Sequence, residues 1–337
     1  MHFCTMKYLL FAFLPCLILG CPAAKTSVDT PIEKTAKNYQ IAFYNVENLF
    51  DTINAPKKRD GEYTPEGSKE WDTEKYLQKL DRIAQAIASI DSVETLAAIG
   101  LAEIENLLVL EGLSKHESIA HLGLQIIHKE SPDFRGIDVA LLYNPKLLKE
   151  IESNFIEVDI NDSGKTTRDI LKARLVDNSN DTILIYVNHW PSRWGGTEAS
   201  NRKRIAAATA LKKNLDKEKS DSKVLIMGDL NDYPINESVI SVLGADSVIG
   251  GRLYNATFPI HADSTQGTHA YRGHWGVLDH AILSNNLMAD IDSVYVHKRQ
   301  YMLYKTRNGD WFPSRTHSGK KYFAGYSDHL PIVVNFK

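Results

Sequence analysis

The side chains with the clearest chemical potential stand at the end of one apolar run. Residues 224–227 read as a buried strand, and Gly228, Asp229, Leu230 and Asn231 follow it. Because positions two apart on an extended chain point the same way, Asp229 and Asn231 could together hold a hard metal ion, a water molecule or a phosphate. Asp and Asn also favour turns and helix N-caps, so this motif by itself equally allows a purely structural role.

Polar side chains suited to metal binding or proton transfer stand at the ends of six apolar runs. Taken alone, each has an ordinary explanation: Glu103 could lie beside a helix N-cap, His189 could be a core histidine, and Asp279 could bond a local amide. Side chains that converge from several strand ends form active sites on rigid scaffolds, so the combination indicates one cleft. Its members are Asn45 and Glu47, Glu103, Asn188 and His189, Asp229 and Asn231, Asp279 and His280, and Ser327, Asp328 and His329.

These motifs, in this order, resemble those of the endonuclease/exonuclease/phosphatase superfamily, the DNase I-like metal-dependent phosphoesterases. The resemblance spans nearly all of the chain after its N-terminal segment. It implies an α/β fold, a four-layered sandwich in which two packed, mostly antiparallel mixed β-sheets are flanked by helices. The matching pieces are Tyr44-Asn45-Val46-Glu47-Asn48, Leu101-Ala102-Glu103, Asn188-His189, Gly228-Asp229-Leu230-Asn231, Leu278-Asp279-His280 and Ser327-Asp328-His329.

The resemblance also implies attack of water on a phosphate ester with the help of a divalent cation. Asn45 and Glu103 match the family's metal positions, and Asp328 is expected to bind the metal or to hold its water. Oxygen ligands of this kind suit Mg²⁺ or Mn²⁺. Such a cation stabilises the negative charge that develops on the phosphoryl oxygens.

The remaining motif residues are expected to act on the water and the phosphate. Asp229 would orient and deprotonate the attacking water, and Asn231 would fix that geometry. His329 would donate to a phosphate oxygen, while the Asp279 carboxylate would hold its ring in the charged form. His189 would be either a second phosphate donor or the acid that protonates the leaving group.

One segment, residues 135–139, departs from the DNA-repair members of the family, which carry a phosphate-binding Tyr there. Arg135 could replace that Tyr as a bidentate phosphate donor, and Asp138 could be the carboxylate partner of His189. The alternative is a surface Arg–Asp pair in a turn. Arg202, at the start of a predicted helix, and Arg193, which follows His189 closely, are further candidates for phosphate binding. Solvated surface charge is the alternative for both.

Apolar periodicity predicts the elements that must position these residues. A helix is expected after Asp72, which would cap it, and a long polar loop occupies residues 47–71. Two further helices are predicted over residues 107–113 and 200–215. The predicted strands cover residues 40–46, 96–102, 122–127, 137–143, 170–176, 182–190, 224–227, 278–283, 291–296 and 330–336, with a weaker one over 155–160.

The N-terminus has the features of an export signal. Lys7 precedes an apolar run over residues 8–19, which is too short to span a bilayer and suits a signal-peptide core. Gly20 and Cys21 then resemble a bacterial lipobox, in which Cys21 becomes lipidated; an ordinary signal peptide with a chance cysteine is the alternative. We therefore predict a signal peptide over 1–20, a polar tether over 21–38 and a folded domain over 39–337.

Composition excludes several other classes of protein. The chain has 337 residues, 43% of them hydrophobic, and a formal net charge of −3, which argues against a strong non-specific polyanion binder. Cys4, Cys16 and Cys21 are its only cysteines, so the predicted domain has no disulfide, no cysteine nucleophile and no cysteine zinc site.

Three functions remain open from the sequence. The first is an extracytoplasmic nuclease that is monomeric and held in the bacterial cell envelope through lipidated Cys21. The second is a phospholipid or sugar-phosphate hydrolase. The third is a non-catalytic binding protein on the same fold.

Overall fold

Two large β-sheets and the loops at their strand ends carry most of the residues singled out above. The computed structural model describes residues 1–2, 38–91, 95–160, 162 and 166–337, and every element below belongs to a compact unit over residues 35–337. The predicted signal peptide, Cys21 and most of the predicted tether lie outside the described residues and stay predictions. No helix in the described ranges is both long and apolar enough to cross a membrane.

The described residues form nineteen strands and five α-helices, together with three short 3-10 helices and one π-helix. The strands are β1 (Gln40–Leu49), β2 (Leu96–Ile104), β3 (Gln125–His128), β4 (Asp138–Tyr143), β5 (Leu148–Ile156), β6 (Ile170–Asp177), β7 (Thr182–His189), β8 (Lys223–Asp229), β9 (Ala245–Asp246), β10 (Leu253–Asn255), β11 (His269–Tyr271), β12 (His274–Gly276), β13 (Asp279–Ser284), β14 (Ile291–Val296), β15 (Leu303–Lys305), β16 (Trp311–Pro313), β17 (His317–Ser318), β18 (Lys321–Tyr322) and β19 (Ile332–Phe336). The helices are α1 (Thr73–Ile90), α2 (Leu107–Ser114), α3 (Thr197–Leu215), α4 (Phe258–Ala262) and α5 (Asn285–Met288).

Most neighbouring strands of the two sheets run antiparallel. The first sheet has the order β14-β19-β1-β2-β4-β3, and the second has the order β5-β6-β7-β8-β13-β10-β9. Within the described residues, the parallel pairs are β1 with β2, β7 with β8, and β9 with β10. Parallel neighbours need a crossover connection, and α1 and α3 supply it for the first two pairs. The predicted sandwich of mostly antiparallel mixed sheets is confirmed.

The buried side chains show four layers, namely the two sheets and the helices on their two outer faces. Side chains of both sheets, among them Phe43, Leu171 and Leu225, form an inner core between the sheets. Helices α1 and α2 cover the outer face of the first sheet, and α3 covers the outer face of the second. The sheets approach closely at Gly100, where an added Cβ would lie 3.0 Å from Cε of Met227. Helix α1 begins as predicted, because the Asp72 side chain accepts from the Lys75 amide.

The structure differs from the sequence-based prediction in two apolar stretches. Only residues 155–156 of the predicted strand over 155–160 are strand, as the end of β5, an edge strand whose exposed Lys149, Ile151 and Glu152 hide its periodicity. The predicted strand over 122–127 is interrupted at Gly123, which has a left-handed backbone (φ 61°) and ends a short 3-10 helix.

Candidate active site

The register of three adjacent strands places three of the predicted catalytic residues side by side. His189 of β7 lies opposite Asp229 of β8, and Asp229 lies opposite Asp279 of β13. Asn45 of β1 approaches from the other sheet, and its Nδ2 donates to Asp229 Oδ2 at 3.0 Å. The site therefore spans the ends of both sheets, at the floor of a cleft of about 840 Å³.

Gly228 is required for this close approach. Its φ is 153°, and an added Cβ would lie 2.2 Å from the carbonyl oxygen of Asn188 on the neighbouring strand. Any side chain at this position would force β7 and β8 apart. The glycine before Asp229 thus sets the spacing between His189 and Asp229.

His329 reaches the floor from the loop before β19. Ser327 anchors that loop, since its hydroxyl donates to the Asn45 carbonyl at 2.7 Å and accepts from the His329 amide at 3.0 Å. The His329 ring Nδ1 lies 2.7 Å from Asp279 Oδ2. Burial opposes a charge on the ring, but the carboxylates of Asp279 and Asp229 outweigh it and hold the pKa of His329 well above its usual value.

The Asp229 carboxylate lies between two imidazoles. Its Oδ2 is 3.8 Å from Nε2 of His189 and 3.8 Å from Nε2 of His329. Its Oδ1 accepts from the Asn231 amide at 2.9 Å, and the Asn231 side chain donates to the Trp190 carbonyl. Burial raises the pKa of Asp229 to about 7, with the charge on His329 acting against that rise. The backbone amide of Asn231, rather than its side chain, therefore holds the Asp229 carboxylate in place.

His189 is buried and electrically neutral. Burial lowers its pKa well below the usual value, and the nearby guanidinium groups of Arg168 and Arg135 act in the same direction. Nδ1 of His189 has no hydrogen-bond partner among the described residues. The predicted pairing of Asp138 with His189 is wrong. Asp138 instead contacts Nε2 of His128 at 3.1 Å and accepts from the Ser131 amide, because β3 and β4 run side by side there.

Several site residues have a left-handed backbone, which is rare for residues other than glycine. They are Glu47, Asn48, Glu103 and Asn231, with φ between 51° and 65°. Each such residue costs about 1–3 kcal/mol unless its surroundings hold it in place. Their concentration at the strand ends of this cleft indicates a function that needs these side chains at these positions.

The three predicted metal ligands supply oxygen atoms at the cleft. The Glu103 carboxylate makes one ion contact, 3.8 Å to His189 Nε2, and no hydrogen bond to the described part of the chain. Oδ2 of Asp328 lies 2.7 Å from Nη2 of Arg315. Oδ1 of Asn45 accepts from the Glu47 amide. At the cleft, two groups of three side chains are close enough to share an ion, namely Asp229, Asp279 and His329, and His269, Asp328 and His329. A third such group in the described residues, His128, Glu130 and Asp138, lies apart from them on β3 and β4.

The two predicted phosphate-binding arginines have different positions. Arg135 lines a neighbouring cavity, and its Nη2 donates at 3.0 Å to Oδ1 of Asn48, which lines the cleft. The prediction for Arg202 is wrong, because α3 begins at Thr197 and Arg202 falls in its second turn. There it lies 3.5 Å from Asp162 on the outer face. Arg193 borders the cleft but donates to the Asn231 carbonyl and to Asp232.

Sequence reasoning assigned no role to three further side chains at the cleft. Both oxygens of Glu47 accept from backbone amides, those of Thr316 and His317. The sequence places Glu47 among the strand-end residues, two positions after Asn45, but predicts no role for it. The His269 ring lies 4.8 Å from the His329 ring. His269 belongs to a strand of three residues and His317 to a strand of two, and such short strands show no periodic pattern in the sequence.

Comparison with known proteins agrees with this geometry. The model of the endonuclease/exonuclease/phosphatase family matches residues 40–337, and the chain belongs to that family. Members of this superfamily are hydrolases that act on phosphoester bonds with divalent metals, and the acidic and histidine clusters described above could bind such a metal. A search of the curated proteins found no match.

Solved structures share the fold at low sequence identity. Humanized D. rerio TDP2 is 14% identical with a TM-score of 0.57, and the match covers 90% of this chain and 100% of that one. A family member from Bacteroides thetaiotaomicron is 15% identical with a TM-score of 0.55, covering 89% and 97%. A mannosyl-6-phosphatase of the same organism is 14% identical with a TM-score of 0.54, covering 89% and 99%.

Proposed function

We propose that this protein is a divalent-metal-dependent phosphodiester hydrolase that cleaves nucleic acid. One observation carries the proposal. A charged imidazole, His329 held by Asp279, and a buried carboxylate with a pKa of about 7, Asp229, face the same cleft with their reactive atoms 3.8 Å apart. This arrangement provides a phosphate donor and a general base at one place.

The chemistry of the donor set fits a hard cation such as Mg²⁺ or Mn²⁺. Glu103, Asp328 and Asn45 offer only oxygen, and the Glu103 carboxylate is not engaged in a hydrogen bond to any described residue. Mg²⁺ sites in proteins typically use one or two carboxylates. When bound, the cation would offset the negative charge of the phosphoryl group.

The residues of the chain perform the following steps. Asp229 accepts a proton from the attacking water as the new phosphorus–oxygen bond forms, and a base with this pKa is well matched to neutral pH. The bond from phosphorus to the leaving oxygen breaks, and that oxygen takes a proton from solvent in the open cleft. Charged His329 donates to a non-bridging oxygen. His189 carries no extra proton near neutral pH, so we assign it as a second donor rather than the leaving-group acid.

The shape of the cleft favours a diester over a monoester. A cavity of about 630 Å³ adjoins one side and shares Ser192 and Trp194 with the cleft. A second cavity, of about 490 Å³, adjoins the cleft at different residues and shares Tyr271, Arg315 and Asp328 with it. A phosphate at the floor therefore has two separate cavities beside it, one for each substituent of a phosphodiester.

The purified chain should hydrolyse bis-p-nitrophenyl phosphate, plasmid DNA and RNA with Mg²⁺ or Mn²⁺ and should stop when EDTA is added. Asp229→Asn should lower every one of these rates by about 10³-fold, because the general base is lost. Arg202→Ala, on the outer face of α3, is the control and should match the unchanged chain. Hydrolysis of phospholipids or sugar monophosphates alone would overturn the nuclease assignment, and full activity of Asp229→Asn would overturn the mechanism.

We also propose that the protein is a monomer held at the bacterial cell envelope through a lipid on Cys21, outside the cytoplasm. The lipid anchor is supported by the sequence of residues 7–21 alone. In a bacterial host, the unchanged chain should partition into the membrane fraction and Cys21→Ser should not. Membrane partition of Cys21→Ser equal to that of the unchanged chain would contradict the lipid anchor. Sedimentation of the detergent-solubilised chain at the mass of a dimer would contradict the monomer.

A further inference from the structure

Positive charge is concentrated in one segment of this acidic protein. Residues 298–323 contain seven lysines and arginines against a single acid, Asp310, although the whole chain has a net charge of −3. Most of these cations are exposed to solvent. The cations are Lys298, Arg299, Lys305, Arg307, Arg315, Lys320 and Lys321. A local charge of this size on an acidic chain indicates a polyanionic ligand.

The same region exposes aromatic rings. Three two-stranded hairpins, β11/β12, β15/β16 and β17/β18, surround the cavity of about 490 Å³, which we call the hairpin cavity. Tyr271, Tyr304 and Phe323 line it and are 62%, 47% and 49% exposed. Large aromatic side chains clustered in solvent are unusual unless they bind something. Lys321 lies 4.9 Å from the centre of the Phe323 ring, so cation and ring are presented together.

The hairpin cavity opens directly onto the catalytic floor. Tyr271, Arg315 and Asp328 line both the cavity and the cleft, and Nη2 of Arg315 lies 2.7 Å from Asp328 Oδ2. Asp328 directly precedes His329 in the chain. A ligand whose phosphate contacts His329 thus places its neighbouring groups among the exposed rings.

We propose that the hairpin cavity binds single-stranded nucleic acid on one side of the scissile phosphate, with bases stacked on Tyr271, Tyr304 and Phe323. The inference rests on the proposed function and names its substrate as single-stranded. Exposed rings combined with a basic surface bind single strands without sequence preference, because every base has a stacking face. In a duplex those faces are covered by neighbouring base pairs, so a duplex should bind more weakly.

The test measures binding apart from hydrolysis. The probe is a fluorescent 12-nucleotide single strand of mixed sequence, titrated with the full chain in EDTA and followed by anisotropy. We expect Tyr304→Ala combined with Phe323→Ala to weaken binding at least tenfold. The matched control is Ile249→Ala, which removes an apolar side chain that is 61% exposed on the loop before β10. A duplex of the same sequence should bind at least tenfold more weakly than the single strand.

A second pair of variants tests the charge without removing a ring. Lys320→Glu combined with Lys321→Glu should also weaken binding at least tenfold. Lys213→Glu combined with Lys217→Glu, on exposed positions at the end of α3 and just beyond it, makes the same change of net charge elsewhere and should have less than a twofold effect. Equal losses from the two pairs would overturn the proposal, because they would reflect net charge alone.

Activity distinguishes failure of this inference from failure of the proposed function. With Mg²⁺, the aromatic double variant should show a lower ratio of kcat/KM for the oligonucleotide to kcat/KM for bis-p-nitrophenyl phosphate. If all variants hydrolyse the small diester and bind the oligonucleotide equally well, the hairpin cavity does not bind single strands. The proposed hydrolase function would still stand. Tighter binding of an acidic oligosaccharide than of the oligonucleotide would overturn the single-strand assignment. No hydrolysis of any diester would overturn the proposed function itself.

Discussion

The catalytic floor and the hairpin cavity are neighbours, but they are built in opposite ways. The floor residues His189, Asp229 and Asp279 are buried and fixed by the register of long strands. The cavity residues Tyr304 and Phe323 are about half exposed and belong to, or directly follow, ladders of two or three residues. The residues that need accurate geometry therefore lie on the sandwich, while the rings proposed for ligand recognition lie on short surface hairpins.

Of the substitutions considered below, one at the catalytic floor should change activity the most. Asp279→Asn leaves the volume unchanged but removes the carboxylate that keeps His329 charged, so kcat for bis-p-nitrophenyl phosphate should fall by about 10³-fold. Asp292→Asn, at an exposed position of β14, is the matched control and should have no effect. A change in KM alone would show that His329 acts in binding rather than in the transition state.

Two glycines provide a comparison of stability. Gly228→Ala should lower the free energy of unfolding by about 3 kcal/mol, because the new Cβ would clash with the Asn188 backbone. Gly273→Ala, in the turn between β11 and β12, meets no atom within 4 Å and should cost about 1 kcal/mol for its positive φ of 82°. Urea denaturation of both variants measures this. Equal decreases in the free energy of unfolding would show that the backbone at the floor can adjust as easily as that of a hairpin turn.

A smaller, pH-dependent effect should come from His280, which is buried behind the floor. Its Nδ1 lies 3.0 Å from Asn255 Nδ2 and its Nε2 lies 2.9 Å from the Asp232 carbonyl, as suits a neutral ring. Burial lowers its pKa to about 4 from 6.5. The unfolded chain therefore binds a proton that the folded chain does not, and stability present above pH 6.5 is lost as the pH falls towards 4.

His280 alone should lower the free energy of unfolding by about 2–3 kcal/mol between pH 7 and pH 4, since one pKa unit corresponds to about 1.4 kcal/mol. His280→Gln removes the titrating group, so the free energy of unfolding, measured by urea denaturation from pH 7 to 4, should fall less steeply than in the unchanged chain. Identical slopes would mean that the ring becomes protonated without unfolding.

The floor could be predicted from the sequence and the hairpin cavity could not, for a physical reason. Long apolar runs such as residues 224–227 mark buried strands, and the polar residues that follow them must lie near a sheet edge. The hairpins have two or three residues per strand, too few to show alternation, so Tyr271 and His317 gave no signal. Asp138 was assigned to the wrong histidine because partners across strands depend on sheet order, which spacing does not contain.

The pairing of β1 with β19 joins Phe43 to Ile332 across almost the entire domain. β19 also lies inside the first sheet, between β14 and β1, and the loop before it carries His329. During synthesis the ribosome must therefore release residues 327–336 before either the sheet or the active site can close. A chain that lacks residues 327–336, whether it is still being synthesised or was terminated early, should therefore have no hydrolase activity. Proteolytic cleavage within this segment should abolish activity and also loosen the β11/β12 hairpin, because His329 pairs with His269 of β11 and the Leu330 amide donates to the Thr268 carbonyl.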